Sequence, residues 1–263
     1  MKLLKVTSAY FSPAGTTKTV VTRLTDAFSD YPISDLDLTD YDIRQKTWEF
    51  HENELLIIGV PAYGGRVPVP VMDFLEKMKG LNTPVVLIAT YGNRGIGDTL
   101  CELYRGMKNR GFIPVACGSF VCQHTFLSDV ARNRPDEEDH AVIAKFGKEL
   151  RERLRLLVTY DVGKLDIPGN YPYTCPPMNL PFKVETSEYC IYCMLCVSVC
   201  PAKAIHPDNP KSIDSTKCIR CGSCLRICPA GAKSFTEKPF KALQDNILRP
   251  VKDIRNEPWY SIG

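Results

Sequence analysis

Twelve cysteines occur in this chain of 263 residues, and eight of them lie between residues 190 and 228. These eight form two copies of one pattern. The first is Cys190-Ile-Tyr-Cys193-Met-Leu-Cys196-Val-Ser-Val-Cys200-Pro201; the second is Cys218-Ile-Arg-Cys221-Gly-Ser-Cys224-Leu-Arg-Ile-Cys228-Pro229. Both read C-x2-C-x2-C-x3-C-P, at an offset of 28 residues. Three thiolates so spaced wrap one iron–sulfur cube in a tight turn. The fourth, set off by three residues and followed by proline, points to the other cube. The spacing predicts two [4Fe–4S] clusters with crossed ligands. Cys190, Cys193, Cys196 and Cys228 hold one; Cys218, Cys221, Cys224 and Cys200 hold the other. Zinc ribbons use separated C-x2-C pairs instead. Disulfides belong to exported chains, and Met1–Val6 is too short an apolar run for an export signal. Arg220 and Arg226 lie inside the second copy, where a cation favours the more negative, reduced cluster.

Three loops in the first half suit a phosphate and a flat ring. The first is Ser12-Pro13-Ala14-Gly15-Thr16-Thr17-Lys18, the second Pro61-Ala62-Tyr63-Gly64-Gly65-Arg66-Val67-Pro68, and the third Thr90-Tyr91-Gly92-Asn93-Arg94-Gly95. Hydroxyls and N–H groups at a helix start cradle phosphate. Tyr63 and Tyr91 are placed to sandwich a flavin ring, with the glycines letting backbone N–H groups reach its polar edge. Lys18, Arg66 and Arg94 either face this cofactor or are solvated surface charges. His124 either approaches the flavin edge or is structural. Cys117 and Cys122 sit in an apolar run and read as packing residues; Cys101 and Cys175 receive no role.

These loops need a scaffold, and the hydrophobic pattern supplies one. Apolar runs at Leu3–Tyr10, Leu55–Val60, Pro84–Thr90 and Phe112–Cys122, with a weaker one at Ile33–Leu38, read as five strands. Helical patterns lie between them: Val20, Leu24, Ala27 and Phe28 on one face, then Val71–Met78, then a helix capped by Asp98 and closed by Gly111. A last helix runs from about Glu138 to Leu157. Continuously apolar strands alternating with helices indicate an α/β fold with a doubly wound parallel sheet, in the order 2-1-3-4-5. The three loops then fall at the carboxyl ends of strands. Residues 158–187 hold five prolines and read as a linker. It either wraps the surface through Tyr160, Tyr171 and Tyr173 or is a solvated tether. In the tail 237–263, Trp259 and Tyr260 suggest docking.

Residues 1–157 resemble flavodoxins. Their phosphate loop usually reads Ser/Thr-x-Thr-Gly-x-Thr, and here Ala14 stands at the middle Thr. Residues 188–236 resemble bacterial-type 2[4Fe–4S] ferredoxins, a small α+β domain, with every ligand position matched. The whole chain resembles flavodoxin/ferredoxin fusions of anaerobes. That resemblance implies bound FMN and a cytoplasmic electron carrier or iron–sulfur flavoprotein with redox-protein partners.

Composition agrees with a globular chain: 44 % apolar, 24 % charged and a formal net charge of +3 exclude disorder, and no basic run reads as a nucleic-acid arm. No stretch approaches the roughly 20 apolar residues of a membrane span. No G-x-G-x-x-G fingerprint for a dinucleotide is present. Three functions remain open. The chain passes electrons between a one-electron carrier, the clusters and FMN. Or it is a flavoenzyme reducing a small molecule such as a quinone or nitro compound. Or it is a ferredoxin module whose other half only docks partners.

Overall fold

The computed structural model describes residues 3–156 and 163–263. Its first half is the expected alternation: β1 (Lys5–Tyr10), α1 (Thr16–Thr25), β2 (Ile33–Asp37), β3 (Glu54–Pro61), α2 (Val69–Leu75), β4 (Thr83–Tyr91), α3 (Thr99–Asn109), β5 (Phe112–Val121) and α4 (Glu137–Leu156). The five strands pair in parallel in the order 2-1-3-4-5. This is the flavodoxin-like order, with its switch point between β1 and β3. Side-chain alternation explains why the central strands are apolar throughout. Leu56, Ile58 and Val60 face Val71, Phe74, Leu100 and Leu103 of α2 and α3. Leu55 and Ile57 face Val20, Val21, Leu24, Phe146 and Leu150 of α1 and α4. Both faces are therefore covered, as a parallel sheet requires.

Two elements differ from the sequence reading. The helix expected at Val71–Met78 is Val69–Leu75, and Met78–Gly80 instead pairs with Trp48–Phe50 as a short parallel ribbon. The C-terminal segment supplies a sixth strand to the sheet.

The second half begins with β6 (Val184–Thr186), α5 (Leu195–Ser198), β7 (Ile205–His206), β8 (Asn209–Ile213), α6 (Ser223–Ile227) and β9 (Lys233–Phe235). β6 pairs antiparallel with β9, and β7 with β8. The backbone repeats at the cysteine offset. Tyr192 and Arg220 have φ of 55° and 53°, Met194 and Gly222 63° and 76°, and Lys203 and Gly231 46° and 59°. The left-handed turns that fold each cysteine loop thus occur at the same places in both copies. Phe126, from the loop after β5, joins this module to the sheet half. Its ring meets Phe182, Phe235 and Phe240 edge-on at 5.6, 5.3 and 5.9 Å.

The chain then returns through α7 (Glu237–Leu243) to β10 (Trp259–Ile262), which lies antiparallel to β5. The Tyr260 ring stacks on Phe146 at 4.5 Å, and its hydroxyl donates to Glu149 at 2.7 Å. The proline-rich segment also docks, as far as it is described; Tyr160 lies outside the described residues. The Tyr171 ring lies 3.4 Å from the Arg105 guanidinium and the Tyr173 ring 4.3 Å from that of Arg66. Among the described residues, no helix is long and apolar enough to cross a membrane.

Candidate functional site

The carboxyl ends of β1, β3 and β4 open onto a cavity of about 320 Å³. Each of the three loops contributes to it. Ala14, Thr16 and Thr17 come from the first, Pro61 through Gly65 from the second, and Tyr91, Gly92 and Arg94 from the third. The first and third loops are tied together where the Thr17 and Thr90 hydroxyls stand 2.7 Å apart. Gly15, at φ 88°, turns the chain into α1, whose first N–H groups have no carbonyl of their own helix to bond. Ser12 braces that turn: its Oγ accepts the Lys18 N–H at 2.9 Å, and its own N–H donates to Thr39.

Three expected cofactor residues are occupied elsewhere. Arg66 is bound to Glu102, its Nε donating at 2.9 Å, and to the Cys175 carbonyl at 3.0 Å. Asn93 is buried, and its Nδ2 donates to the carbonyls of Val251 and Ile254 at 2.8 and 2.6 Å. Lys18 turns back to Tyr10, whose ring centroid is 5.3 Å from the ammonium. All three hold the scaffold rather than line the cavity. Ser12 and Gly15 shape the turn without lining it.

The remaining walls come from segments distant in sequence. After β5, Cys122 through Phe126 contribute His124. An added Cβ on Gly92 would sit 2.3 Å from His124 Cδ2, so the imidazole rests where only glycine leaves room. Burial, with Arg94 adding to it, lowers the His124 pKa to about 4. The Phe126 N–H donates to His124 Nδ1 at 3.0 Å. The neutral ring therefore carries its proton on Nε2. Burial likewise raises the Tyr63 and Tyr91 phenols, so both rings stay uncharged. Cys117 and Cys122 are buried and pushed up to about 12, as packing thiols should be.

Cys175, Met178 and Leu180 form another wall. An added Cβ on Gly65 would lie 2.7 Å from Cys175 Sγ, so this strap, the part of the proline-rich segment from Asn170 to Leu180, fits tightly onto the second loop. Asp98 pins it. Its carboxylate accepts the N–H groups of Asn170, Thr174 and Cys175 at 2.8, 2.7 and 2.7 Å. Leu243 and Leu248 of the C-terminal segment complete the apolar side.

The last wall is Arg220 and Cys221, from the second cysteine repeat. Cys221 also lines a smaller cavity together with Cys200, Cys218 and Cys224. Cys200, although 18 residues from Cys218 in sequence, thus stands with the second trio. Burial raises the Cys196 pKa, and the neighbouring Cys190 and Cys193 add to the shift. In both copies the cysteine before proline accepts a backbone N–H at 3.3 Å, from Ala204 to Cys200 and from Ala232 to Cys228. All twelve cysteines are unpaired. Burial pushes the Cys224 thiol up to about 12, so ligation there relies on a metal to displace the proton. Among the described residues, no three His, Cys, Asp or Glu side chains converge on a single ion. Cluster cysteines stand farther apart, because each binds a different iron of the cube. The donor sets therefore fit: four thiols around one pocket, and a cavity with a helix start, two tyrosine rings and glycine backbone.

The repeat is fixed onto the first loop. Ser223 Oγ donates to the Pro13 carbonyl at 2.9 Å, and Arg226 to the same oxygen at 3.2 Å. Sequence reasoning had no signal for this docking, since it joins residues some 210 positions apart.

Residues 189–233 match the family described as a 4Fe-4S dicluster domain. No curated protein matches. Among solved structures, a flavodoxin from the domain Archaea is 13 % identical, with 58 % of this chain and 99 % of that chain covered and a TM-score of 0.42. Oxidised flavodoxin 2 from Bacillus cereus is 16 % identical, covering 57 % and 99 %, with a TM-score of 0.41. The rubredoxin oxygen:oxidoreductase of the anaerobe Desulfovibrio gigas is 15 % identical, covering 59 % and 37 %, with a TM-score of 0.43. The strand order itself, rather than these distant likenesses, gives the flavodoxin-like α/β fold; the C-terminal module is of ferredoxin type.

Proposed function

We propose that this protein carries electrons between two [4Fe–4S] clusters and one FMN, linking a one-electron carrier to a flavin-dependent partner or acceptor. One observation carries the reading: Cys221, of the second quartet, lines both the small cysteine cavity and the cavity formed by the three loops. A cluster held there is adjacent to whatever ring the cavity holds. Clusters pass electrons singly and a flavin takes one or two, so the pair couples one-electron to two-electron chemistry. The chain's own residues have distinct parts. Thr16, Thr17 and the first N–H groups of α1 bind the phosphate. Tyr63 and Tyr91 enclose the ring. Arg94 places positive charge beside it; Arg220, whose guanidinium donates to the Phe182 and Cys218 carbonyls at 3.0 and 2.8 Å, adds its charge at the cavity wall. His124 offers its Nε2–H to the cavity. The crossed ligation extends by repeat equivalence to Cys228 with Cys190, Cys193 and Cys196. The division into residues 1–157, 158–187, 188–236 and 237–263, and a cytoplasmic location, belong to the same proposal.

The test is anaerobic mixing of the holoprotein with reduced methyl viologen, followed separately at the flavin and the clusters. Flavin reduction should slow strongly in Cys224→Ala. Flavin reduction as fast as in the unaltered protein would overturn the proposed route.

A further inference from the structure

The two cysteine repeats share one backbone but meet different surroundings. In the second copy, Ile219 packs on the core beneath α2 and α3, and Arg220 lines the large cavity. An added Cβ on Gly222 would lie 3.2 Å from Thr125, and Ser223 bonds to Pro13. Cys221 is buried. The positions 28 residues earlier are Ile191, Tyr192, Met194, Leu195 and Cys193. There Cys193 is exposed, and Ile191, Tyr192 and Leu195 are 66 %, 53 % and 42 % exposed, beside Tyr189 at 71 %. The usual relation of polarity to burial is reversed. The covered copy carries Arg220 and Ser223 where the open copy carries Tyr192 and Leu195. Clustered apolar side chains on an open surface mark an interaction site.

We infer that Tyr189, Ile191, Tyr192 and Leu195 form the docking face for a separate one-electron redox protein. It sits on the first repeat as the sheet half sits on the second. The inference rests on the electron-transfer reading and adds where the partner binds. The internal repeat says what covers the face: its equivalent in the second copy abuts the proposed flavin cavity, so the same geometry brings an outside redox centre to Cys193. A transient electron-transfer encounter needs less buried area than a stable dimer. Lys211, 5.3 Å from the Tyr192 ring centroid, supplies a cation at the edge. One electron leaves the partner's reduced centre and enters the cluster of Cys190, Cys193 and Cys196; no bond or proton moves.

The experiment uses two reductants on the anaerobic holoprotein: a reduced bacterial two-cluster ferredoxin as the protein probe and reduced methyl viologen as the small one. Ile191→Gln and Leu195→Gln, which add no charge beside the cluster, should each slow second-order reduction by the ferredoxin at least tenfold. Reduction by viologen, iron content and the paramagnetic spectra should stay unchanged. Leu4→Asp, at an exposed apolar residue far from the repeats, should behave like the unaltered protein. An unchanged ferredoxin rate, or equal slowing with both reductants, would overturn the docking face. So would wild-type protein that viologen reduces but ferredoxin does not, or a dimer that the substitutions dissociate. A holoprotein whose clusters viologen does not reduce would instead overturn the electron-transfer reading beneath it.

Discussion

Replacing Asp98 by Ala should release the strap that walls the proposed flavin cavity. Asp98 has no exposed surface. Burial works to raise its pKa, but N–H donors from Cys175, Asn170 and Thr174 outweigh it and hold the carboxyl well below the carboxylate range. The three backbone donors lie at 2.7–2.8 Å, with Asn170 Nδ2 and Thr174 Oγ1 adding bonds at 3.2 and 3.3 Å. A hydrogen bond to a charged group contributes about 1.5–3 kcal/mol net, so the backbone bonds alone total roughly 4–9 kcal/mol. Ordering the strap residues offsets part of this, which leaves about 2–4 kcal/mol for closure. That corresponds to a roughly 30- to 1,000-fold rise in the open population. FMN should leave Asp98→Ala at least 30-fold faster, as read from the recovery of free-flavin fluorescence after dilution, while the cluster spectra persist. A dissociation rate within about threefold of the unaltered protein would refute the reasoning. The pH dependence follows from the sign of the shift. A depressed carboxyl contributes fully above its ordinary value of 3.8, and that contribution is lost as pH falls through the lower folded value. Asp98 should therefore hold the strap unchanged from neutrality down to about pH 4.

Cys200→Ala should damage the cluster of Cys218, Cys221 and Cys224, and Cys196→Ala the other; identical paramagnetic spectra from the two variants would contradict the crossing. Arg94→Gln should lower the two-electron flavin potential by at most about 20 mV, since an exposed charge contributes about 0–1 kcal/mol, whereas Arg66→Gln should leave it unchanged. Buried Lys233 lies near both Cys196 and Cys224, where burial raises the thiol pKa values and its charge partly offsets the rise. Lys233→Met should lower both cluster potentials, by roughly 40 mV for each kcal/mol of lost interaction, in a redox titration.

The features legible in the sequence are those with local causes. Each cysteine loop is a run of eleven residues, and its spacing alone carries the chemistry. Continuously apolar strands made the parallel sheet and its order readable. Features set by distant contacts were hidden. β10 is only four residues long and takes its register from β5, so nothing in Trp-Tyr-Ser-Ile declares a strand. Arg66 and Asn93 stand in the expected loops, yet Glu102 and the carbonyls of Val251 and Ile254 claim their side chains. Asp98 occupies a helix start, as its sequence context suggested, but its carboxylate serves the strap and makes no cap bond. Cys175, Arg220 and Leu248 reach the cavity only because the linker, the second repeat and the C-terminal segment fold back onto the sheet.

The most direct measurement is the cofactor content of the anaerobically purified full-length chain, by metal, sulfide and flavin analysis. Two quartets and one flavin cavity predict about eight iron, eight sulfide and one FMN per chain. Stoichiometric zinc with little iron, or no FMN even after reconstitution, would contradict the account.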